Sequence, residues 1–152
     1  MALYVALIFV LVAADQVTKF VVSLNGGVDM PLLGRYVAFQ YCQNTGAAFS
    51  SLEGKRILLI IVTAVLVAVC IYFLFSKTVA SPLGKIGLAM IVAGGASNLY
   101  DRIFKGYVVD FIYVRHFAIF NVADSCVSIG AALMCIYIIL HEKRQKTEHL
   151  AV

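Results

Sequence analysis

Charged residues are scarce in this chain. They make up 13% of its 152 residues, whereas 62% are hydrophobic and the mean hydropathy is +0.96; an average soluble domain is about a quarter charged. The basic residues are scattered except in a short tail at Lys143, Arg144 and Lys146, so the net charge of +4 does not indicate a nucleic-acid partner. Such a tail is typical of a cytoplasmic anchor after a last membrane helix. The composition predicts an integral membrane protein with a single domain over residues 1–152.

The chain also lacks the spacings that build metal sites and disulfide frameworks. Its four cysteines form no CxxC pair. Three of them, Cys70, Cys126 and Cys135, lie in apolar runs, where a free cysteine packs as a small hydrophobe. Cys42 lies in a polar loop, and His116 has no partner at the spacing of a zinc site. We therefore expect neither a metal ion nor another cofactor.

Four apolar runs reach the roughly 20 residues that a helix needs to cross a bilayer. They predict membrane spans over about 2–22, 57–75, 86–104 and 122–140. The first run has no Lys or Arg before its apolar part and becomes apolar again after Asp15, so we expect a retained helix and not a signal peptide. Four spans place both termini on one side. The density of basic residues in loop 76–85 and in the tail predicts that this side is cytoplasmic.

The two long loops, 23–56 and 105–121, are extracytoplasmic in this topology. Each contains an aromatic and β-branched segment that is typical of a strand, YVAFQYC at Tyr36–Cys42 and YVVDFIYV at Tyr107–Val114. Because bare strand edges are not tolerated in hydrocarbon, a sheet made of these segments should lie at or outside the headgroups. The predicted fold class is a membrane all-α protein, a four-transmembrane-helix bundle with a small extracytoplasmic β-sheet.

Polar residues are concentrated where the third and fourth runs meet the second long loop. Asn98, Asp101 and Arg102 stand at i, i+3 and i+4, so they share a face near the end of the third helix. Asn121 and Asp124 stand at i and i+3 and share a face at the start of the fourth helix. Both helix ends lie on the same side of the membrane, so we expect these side chains to converge.

Asp110 lies on the strand-like segment between those two helix ends. We expect this segment to fold back and bring Asp110 over the start of the fourth helix, within reach of Asp124. Two carboxylates held close together cannot easily both ionise, so one keeps a proton. Such a pair can hydrolyse a peptide bond without a covalent intermediate. One carboxylate takes a proton from water, and the other protonates the carbonyl oxygen and assists the leaving nitrogen.

The sequence contains fewer of the residues that other mechanisms require. Ser97 and Ser125 lack an obvious His or Lys base. A small proton-coupled transporter would also place carboxylates in its spans, with Asp15, Asp101 and Asp124 as relay groups. However, the acids cluster at one surface, and no pair of broken helices is evident. A structural membrane protein is the third possibility, and it leaves the polar cluster without a purpose.

Asp15 and Lys19 form a polar pair within the first span. They stand at i and i+4 with the acid first, which is the favoured order for an ion pair on a helix. An ionisable residue inside a membrane is costly, so it is usually paired and faces inward. The spacing favours a neutralised pair that locks this helix to its neighbours over a catalytic role for Asp15.

Five stretches of the chain resemble motifs of the lipoprotein signal peptidases, the type II signal peptidases of bacteria. They are DQVTK at Asp15–Lys19, NTGAAFS at Asn44–Ser50, GGASNLYDR at Gly94–Arg102, GYVVDFI at Gly106–Ile112 and FNVADS at Phe120–Ser125. Each stretch alone is a weak signal. All five occur in the family's order and extend from the first span to the fourth, which makes the match specific.

The resemblance implies an aspartic endopeptidase of the cytoplasmic membrane that cleaves a prolipoprotein before its diacylglyceryl-modified cysteine. It assigns catalysis to Asp110 and Asp124. It assigns substrate binding and transition-state support to Asn44, Gly46, Asn98, Arg102 and Asn121, and structural support to Asp15, Lys19 and Asp101. The implied partners are a lipid-modified prolipoprotein and membrane lipids, and we expect a monomer with its active site at the outer leaflet. Asp124 stands at a helix N-terminus, which predicts that it is the more readily ionised of the pair.

Overall fold

The computed structural model of the protein describes residues 1–24, 30–33, 36–46 and 54–150. The helices in this part of the chain are α1 (Ala2–Leu24), α2 (Arg56–Phe75), α3 (Pro82–Phe104) and α4 (Val122–Leu150). The strands are β1 (Met30–Leu33), β2 (Val37–Asn44), β3 (Val108–Val114) and β4 (Ala118–Phe120). Each apolar run of the sequence therefore forms a helix. Helix α3 begins earlier than its apolar run because Pro82, with its fixed φ, suits the first helical turn.

Helix α3 forms the centre of the bundle and packs against α1, α2 and α4. Its small residues allow this close packing. A Cβ atom on Gly94 would overlap the carbonyl oxygen of Ala123 in α4, and one on Gly130 would lie 2.7 Å from the carbonyl oxygen of Gly87. Small residues at such positions let membrane helices approach backbone to backbone. The start of α4 is thereby fixed against the end of α3.

Three helices are long and apolar enough to cross a membrane within the described ranges, namely α1, α2 and Val122–Lys143 of α4. Helix α3 matches α1 in length, at 23 residues each, but it is rich in glycine and carries Lys85, Asp101 and Arg102. Its position explains this composition, because a helix enclosed by three others needs few lipid-facing apolar side chains. In contrast, α1 and α2 expose large apolar residues such as Phe9, Phe20 and Ile61. The protein is thus a membrane protein, and three of the helices in its described residues have the length and hydropathy of a span, whereas four spans were predicted.

The four strands form one antiparallel sheet in the order β1-β2-β3-β4. The pairing of β2 with β3 confirms the small sheet predicted from the two aromatic segments. The register pairs Cys42 with Asp110 and Asn44 with Val108, so the end of β2 lies beside the start of β3. Residues 108–111 are all buried, because this half of β3 also contacts α1 and α3. The sheet thus holds Asp110 against the helix bundle.

Candidate active site

Asn121 precedes α4 and fixes the first turn of that helix. Its Oδ1 accepts a hydrogen bond of 2.8 Å from the backbone N–H of Asp124, and its own N–H donates to Oδ2 of Asp124 at 3.1 Å. These reciprocal bonds form a capping box, which occupies N–H groups that a helix N-terminus leaves without partners. The capping box holds the Asp124 carboxylate in one orientation at the start of α4.

Asp110 is held from two sides by amide side chains. Asn121 Nδ2 donates to Oδ1 of Asp110 at 2.7 Å, and Asn44 Nδ2 donates to Oδ2 at 2.8 Å. Asn44 reaches Asp110 because the antiparallel register brings the end of β2 alongside the start of β3. The structure thus brings the two predicted catalytic carboxylates to the same residue, Asn121, which contacts both.

The protonation of Asp110 follows from its surroundings. Burial raises its pKa from 3.8 to about 6, and the charge of Asp124 raises it as well, against the lowering effect of the hydrogen bonds from Asn44 and Asn121. Asp110 therefore carries a proton for part of the time in weakly acidic solution. Burial, and then the charge of Asp110, also raise the pKa of the Cys42 thiol across the strand pair. Cys42 is a free, half-buried thiol.

Asn98 connects Asp124 to the interior of the bundle. Its Nδ2 donates to Oδ1 of Asp124 at 2.8 Å. Its Oδ1 accepts from Lys19 Nζ at 2.8 Å and from Asn121 Nδ2 at 3.3 Å. Asn98 is buried, so these hydrogen bonds satisfy an amide that has little access to water.

Arg102 and Gly46 join the end of α3 to the end of β2. Arg102 Nη2 donates to the Gly46 carbonyl oxygen at 3.1 Å, and the Gly46 N–H donates to Asn44 Oδ1 at 2.9 Å. The guanidinium also interacts electrostatically with both carboxylates. Residues 47–50 of the stretch Asn44–Ser50 lie outside the described residues.

Arg56 makes a contact with the end of α3 that no pattern in the sequence predicts. Its guanidinium donates to the backbone carbonyls of Arg102 at 2.7 Å and Ile103 at 3.0 Å, which lie at the C-terminal end of α3. A cation at this end of a helix satisfies carbonyl groups without partners and interacts well with the helix dipole. Because Arg56 begins α2, no local spacing pattern links it to α3, and only the packing of the helices brings them together.

Asp15, Lys19 and Asp101 form a buried cluster behind the carboxylates. Lys19 Nζ lies 2.7 Å from Asp15 Oδ2 and 2.8 Å from Asp101 Oδ2, and the side chains of all three are at most 1% exposed. Asp15 Oδ1 also accepts from the backbone N–H of Ala123 at 2.8 Å, so α1 helps to cap α4. Asp101 turns toward α1, whereas the adjacent Arg102 turns toward β2. These contacts join α1 to α3 and α4, which agrees with the expected role of the Asp15–Lys19 pair in holding α1 against its neighbours.

Gln16 and Ser97 extend this cluster, although the sequence did not single them out as site residues. Gln16 Nε2 donates to Ser97 Oγ at 2.9 Å and to Asp101 Oδ1 at 3.2 Å. Ser97 Oγ donates to Asp15 Oδ2 at 2.7 Å. Ser97 stands four residues before Asp101, and this helical spacing was the signal that could have identified it.

A cavity of about 690 Å³ lies in front of the two carboxylates. Its polar lining includes Asn44, Asn98, Arg102, Asp110 and Asp124. The rest of its lining is largely apolar and comes mainly from α2, α4 and the segment 117–120 that contains β4, with Gly95 of α3 and Val108 of β3. Its volume falls within the roughly 300–1,000 Å³ of ligand pockets, and an apolar pocket with a few convergent polar groups is the usual form of a binding site. In the described part of the chain, no group of three or more His, Cys, Asp or Glu is arranged to hold a metal ion.

Comparison with known proteins gives consistent matches over most of the chain. Residues 7–140 match the family model for signal peptidase (SPase) II. The lipoprotein signal peptidase of Caldicellulosiruptor bescii is 44% identical over 130 residues, which cover 84% of each chain. That of Enterococcus faecalis is 35% identical over 150 residues, which cover 96% of this chain and 93% of that relative.

A solved structure described as a bacterial membrane enzyme determined by the in meso method at 2.3 Å resolution has the same fold. Its TM-score with this chain is 0.89 at 27% identity, and the match covers 95% of this chain and 92% of that one. The family match extends from α1 into α4 and so includes both carboxylates, the amides around them and the buried cluster behind them. The chain therefore belongs to the signal peptidase II family of bacterial membrane proteases.

Proposed function

We propose that this protein is an aspartic endopeptidase that removes the signal peptide from diacylglyceryl-modified prolipoproteins, with Asp110 and Asp124 as its catalytic pair. The relatives named above are lipoprotein signal peptidases, which supports a prolipoprotein substrate. The observation that carries the mechanism is the double contact of Asn121, whose side chain binds Asp110 and whose backbone N–H binds Asp124. Two carboxylates joined in this way at a cavity wall are arranged for paired acid–base chemistry.

Asp124 is the general base of the first step. Its carboxylate accepts hydrogen bonds from the Asn98 side chain at 2.8 Å and from the Asn121 backbone at 3.1 Å, and bonds of this kind stabilise the charged form. Asp110, with its pKa raised to about 6, carries the shared proton. The pair titrates as a unit with two apparent pKa values.

Hydrolysis then proceeds in two proton-balanced steps. A water molecule gives a proton to Asp124 and its oxygen attacks the scissile carbonyl carbon, while Asp110 protonates the carbonyl oxygen. The resulting tetrahedral diol collapses when Asp110 takes back a hydroxyl proton and Asp124 gives its proton to the leaving nitrogen. The products are a carboxylic acid and an amine, and the pair returns to its starting protonation state.

Arg102 and Asn44 support this chemistry from the cavity wall. The Arg102 guanidinium interacts with both carboxylates, so it offsets the negative charge that one ionised carboxylate leaves in a largely apolar site. Asn44 fixes Asp110 at 2.8 Å, and Arg102 holds the Gly46 carbonyl at 3.1 Å beside it. The apolar lining of the remaining cavity suits the side chains and acyl groups of a lipid-modified substrate.

We also propose that α3 is a fourth membrane span, with both termini in the cytoplasm and the sheet and cavity at the outer leaflet. Helix α3 is as long as α1 and lies among the other three helices, so it shares their membrane environment. An even number of spans returns the chain to the side on which it began. The basic residues of loop 76–85 and the tail support a cytoplasmic assignment for that side. We propose that the protein acts as a monomer.

The buried cluster argues against the alternative of a proton-coupled transporter. A relay group must gain and lose its proton, but Asp15 and Asp101 both lie within 2.8 Å of Lys19 and are fully or almost fully buried. Breaking a buried ion pair is costly, so these carboxylates are suited to a fixed structural contact and not to a relay. Proton transport in proteoliposomes without peptide cleavage would be the result that favours the transporter.

The test is cleavage of a diacylglyceryl-modified precursor by the purified protein in detergent micelles. We expect Asp110→Asn and Asp124→Asn each to lower turnover by about 100-fold or more, because each removes one acid–base partner. Glu142→Gln, which neutralises an exposed carboxylate on α4, is the matched control and should cleave normally. Thermal unfolding would show that the variants are folded. Near-normal turnover by either aspartate variant would exclude this pair as the catalytic residues.

A further inference from the structure

Lys19 is fully buried on α1, behind the carboxylate pair and separated from Asp124 by one side chain. Its Nζ contacts Asp15 Oδ2 at 2.7 Å, Asp101 Oδ2 at 2.8 Å and Asn98 Oδ1 at 2.8 Å. The contacts with the two carboxylates are ion pairs, and the contact with Asn98 is a hydrogen bond in which the ammonium group can only donate. Two of them neutralise charge. The third is to a neutral amide that itself contacts the catalytic pair.

The contact with Lys19 determines which end of the Asn98 amide faces Asp124. Because Lys19 only donates, the amide oxygen must point at its ammonium group, and the amide nitrogen then points at Asp124 Oδ1, 2.8 Å away. The reversed amide would set N–H groups against the ammonium and an oxygen against the carboxylate. Both contacts of the reversed amide would be repulsive, so the buried lysine keeps Asn98 as a donor.

The same amide oxygen also reaches Asp110 through Asn121. Asn98 Oδ1 accepts from Asn121 Nδ2 at 3.3 Å, and that nitrogen donates to Asp110 Oδ1 at 2.7 Å. The orientation of Asn98 therefore affects the hydrogen bonds of both carboxylates. A change at Lys19 would reach the pair through Asn98, without any direct contact between Lys19 and the substrate cavity.

The other charged and titratable groups around the pair come from three elements. They are Asp15 on α1, Cys42 on β2, and Asp101, Arg102 and Lys105 at the end of α3. Lys105 pairs with Asp101 at 2.7 Å, so the cluster of Asp15, Lys19, Asp101 and Lys105 has no net formal charge. Arg102 is then the cation that interacts with the single charge of the pair. Lys19 also interacts electrostatically with both carboxylates of the pair, so the Asn98 hydrogen bond is its second, directional route to Asp124.

We propose that Lys19 is a positioning residue for catalysis, which locks the Asn98 amide as a hydrogen-bond donor to Asp124 and so keeps Asp124 ready to act as the base. This inference rests on the proposed peptidase function. It goes beyond the structural lock, because a lock requires only the charge of Lys19, whereas positioning requires its N–H donor to Asn98.

The two roles are separated by comparing a neutral donor with a neutral non-donor at position 19. Lys19→Gln keeps an N–H group for Asn98, and Lys19→Met has a similar length without one. Both are combined with Asp101→Asn, so that loss of the cation does not leave an extra buried anion. Asp101→Asn alone is the reference. The readouts are kcat, KM and the pH dependence of kcat/KM on a diacylglyceryl-modified precursor.

We expect the Met double variant to have a kcat about 100-fold below the reference with little change in KM, since a misplaced catalytic group lowers kcat more than binding. Its acid limb of kcat/KM should move to higher pH, because Asp124 without its donor is harder to ionise. The Gln double variant should keep the acid limb of the reference and most of its kcat. Equal kcat and equal pH profiles for Gln and Met would overturn the positioning role and leave Lys19 as a lock alone.

A second measurement, in which Lys19 itself is unaltered, covers the case in which the double variants do not fold. The Lys19 side-chain nitrogen is observed by NMR in protein labelled with ¹⁵N-lysine, with and without Asp124→Asn. Coupling through Asn98 predicts a shift of the Lys19 resonance and no shift for the exposed Lys77. An unchanged Lys19 resonance would overturn the inference. Failure of the unaltered protein to cleave its substrate would instead refute the proposed function.

Discussion

Asn44 offers the sharpest test of how the catalytic pair is tuned. Its side chain donates to Asp110 Oδ2 at 2.8 Å, and this bond lowers the pKa of Asp110 by stabilising the carboxylate. Asn44→Ala removes that donor and leaves the second donor, Asn121, in place at 2.7 Å. The pKa of Asp110 must then rise, because the charged form loses a partner and burial continues to disfavour it.

The size of the shift follows from the energy of the hydrogen bond. A hydrogen bond to a charged group contributes about 1.5–3 kcal/mol, and one pKa unit corresponds to about 1.36 kcal/mol. Since Asn121 still stabilises the carboxylate, we take the lower end of this range, which is a rise of about one unit. The pKa of Asp110, about 6 in the unaltered protein, should therefore move to about 7.

The assay is the pH dependence of kcat/KM, which reports the apparent pKa values of the free enzyme. Activity falls at high pH when the acid, Asp110, loses its proton. We expect this descending limb to lie near pH 6 in the unaltered protein and about one unit higher in Asn44→Ala. Loss of the Asn44 contact with the Gly46 N–H should also lower the maximum rate, but that effect is independent of pH.

Gln43→Ala is the control, because Gln43 is an exposed neighbour on the same strand whose amide donates to Tyr41. Its descending limb should coincide with that of the unaltered protein. If the descending limb of the kcat/KM profile of Asn44→Ala stays in place or moves to lower pH, the assignment of Asp110 as the acid is wrong. An equal shift of the descending limb in Gln43→Ala would show that the effect comes from a disturbed β2 and not from loss of the hydrogen bond to Asp110.

Three further changes test the frame that holds the pair. Gly130→Val should lower the free energy of unfolding by about 1–3 kcal/mol, because even a Cβ atom would lie 2.7 Å from the Gly87 carbonyl; thermal unfolding in detergent measures this. Asp15→Ala should cost about 3–5 kcal/mol in the same measurement, since it leaves a buried Lys19 with one anion fewer. Arg56→Gln should lower the unfolding temperature modestly and reduce kcat, because the end of α3 loses two hydrogen bonds beside the site.

Helix α4 combines structural and catalytic contacts in its first turn. Asn121 forms the capping box with Asp124, and Asp15 on α1 accepts from the backbone N–H of Ala123. Asn98 on α3 donates to the carboxylate of Asp124. A capping side chain usually contributes about 1 kcal/mol to helix stability. Here the same bonds also orient the proposed base, so stability and catalysis depend on the same residues.

Much of the fold followed from local sequence patterns. The apolar runs predicted the helices, and the aromatic segments predicted β2 and β3, because both signals depend on residues close together in the chain. Strands β1 and β4 were not predicted. They are only 4 and 3 residues long, so their pattern is too short to recognise and they form through pairing with their neighbours.

The hydropathy signal for a membrane span is not equally strong in the four helices. The apolar runs predicted four spans, whereas length and hydropathy together identify α1, α2 and Val122–Lys143 of α4 among the described residues. Helix α3 carries glycines and charged residues and packs against the other three helices. A hydropathy criterion measures contact with lipid, so it is weakest for the helix at the centre of the bundle.

The sequence by itself determined that this is a membrane protein of the signal peptidase II family, and it named Asp110, Asp124 and the polar residues around them. These conclusions rest on composition and on motifs, which the chain carries regardless of how it folds. Only the tertiary structure decided how the residues are joined: the double contact of Asn121, the cap that Asp15 gives to α4 across 108 residues of chain, and the position of Lys19 behind Asn98. The reason is physical, since hydrogen bonds depend on distances of about 3 Å between atoms, and packing alone sets those distances between residues far apart in sequence.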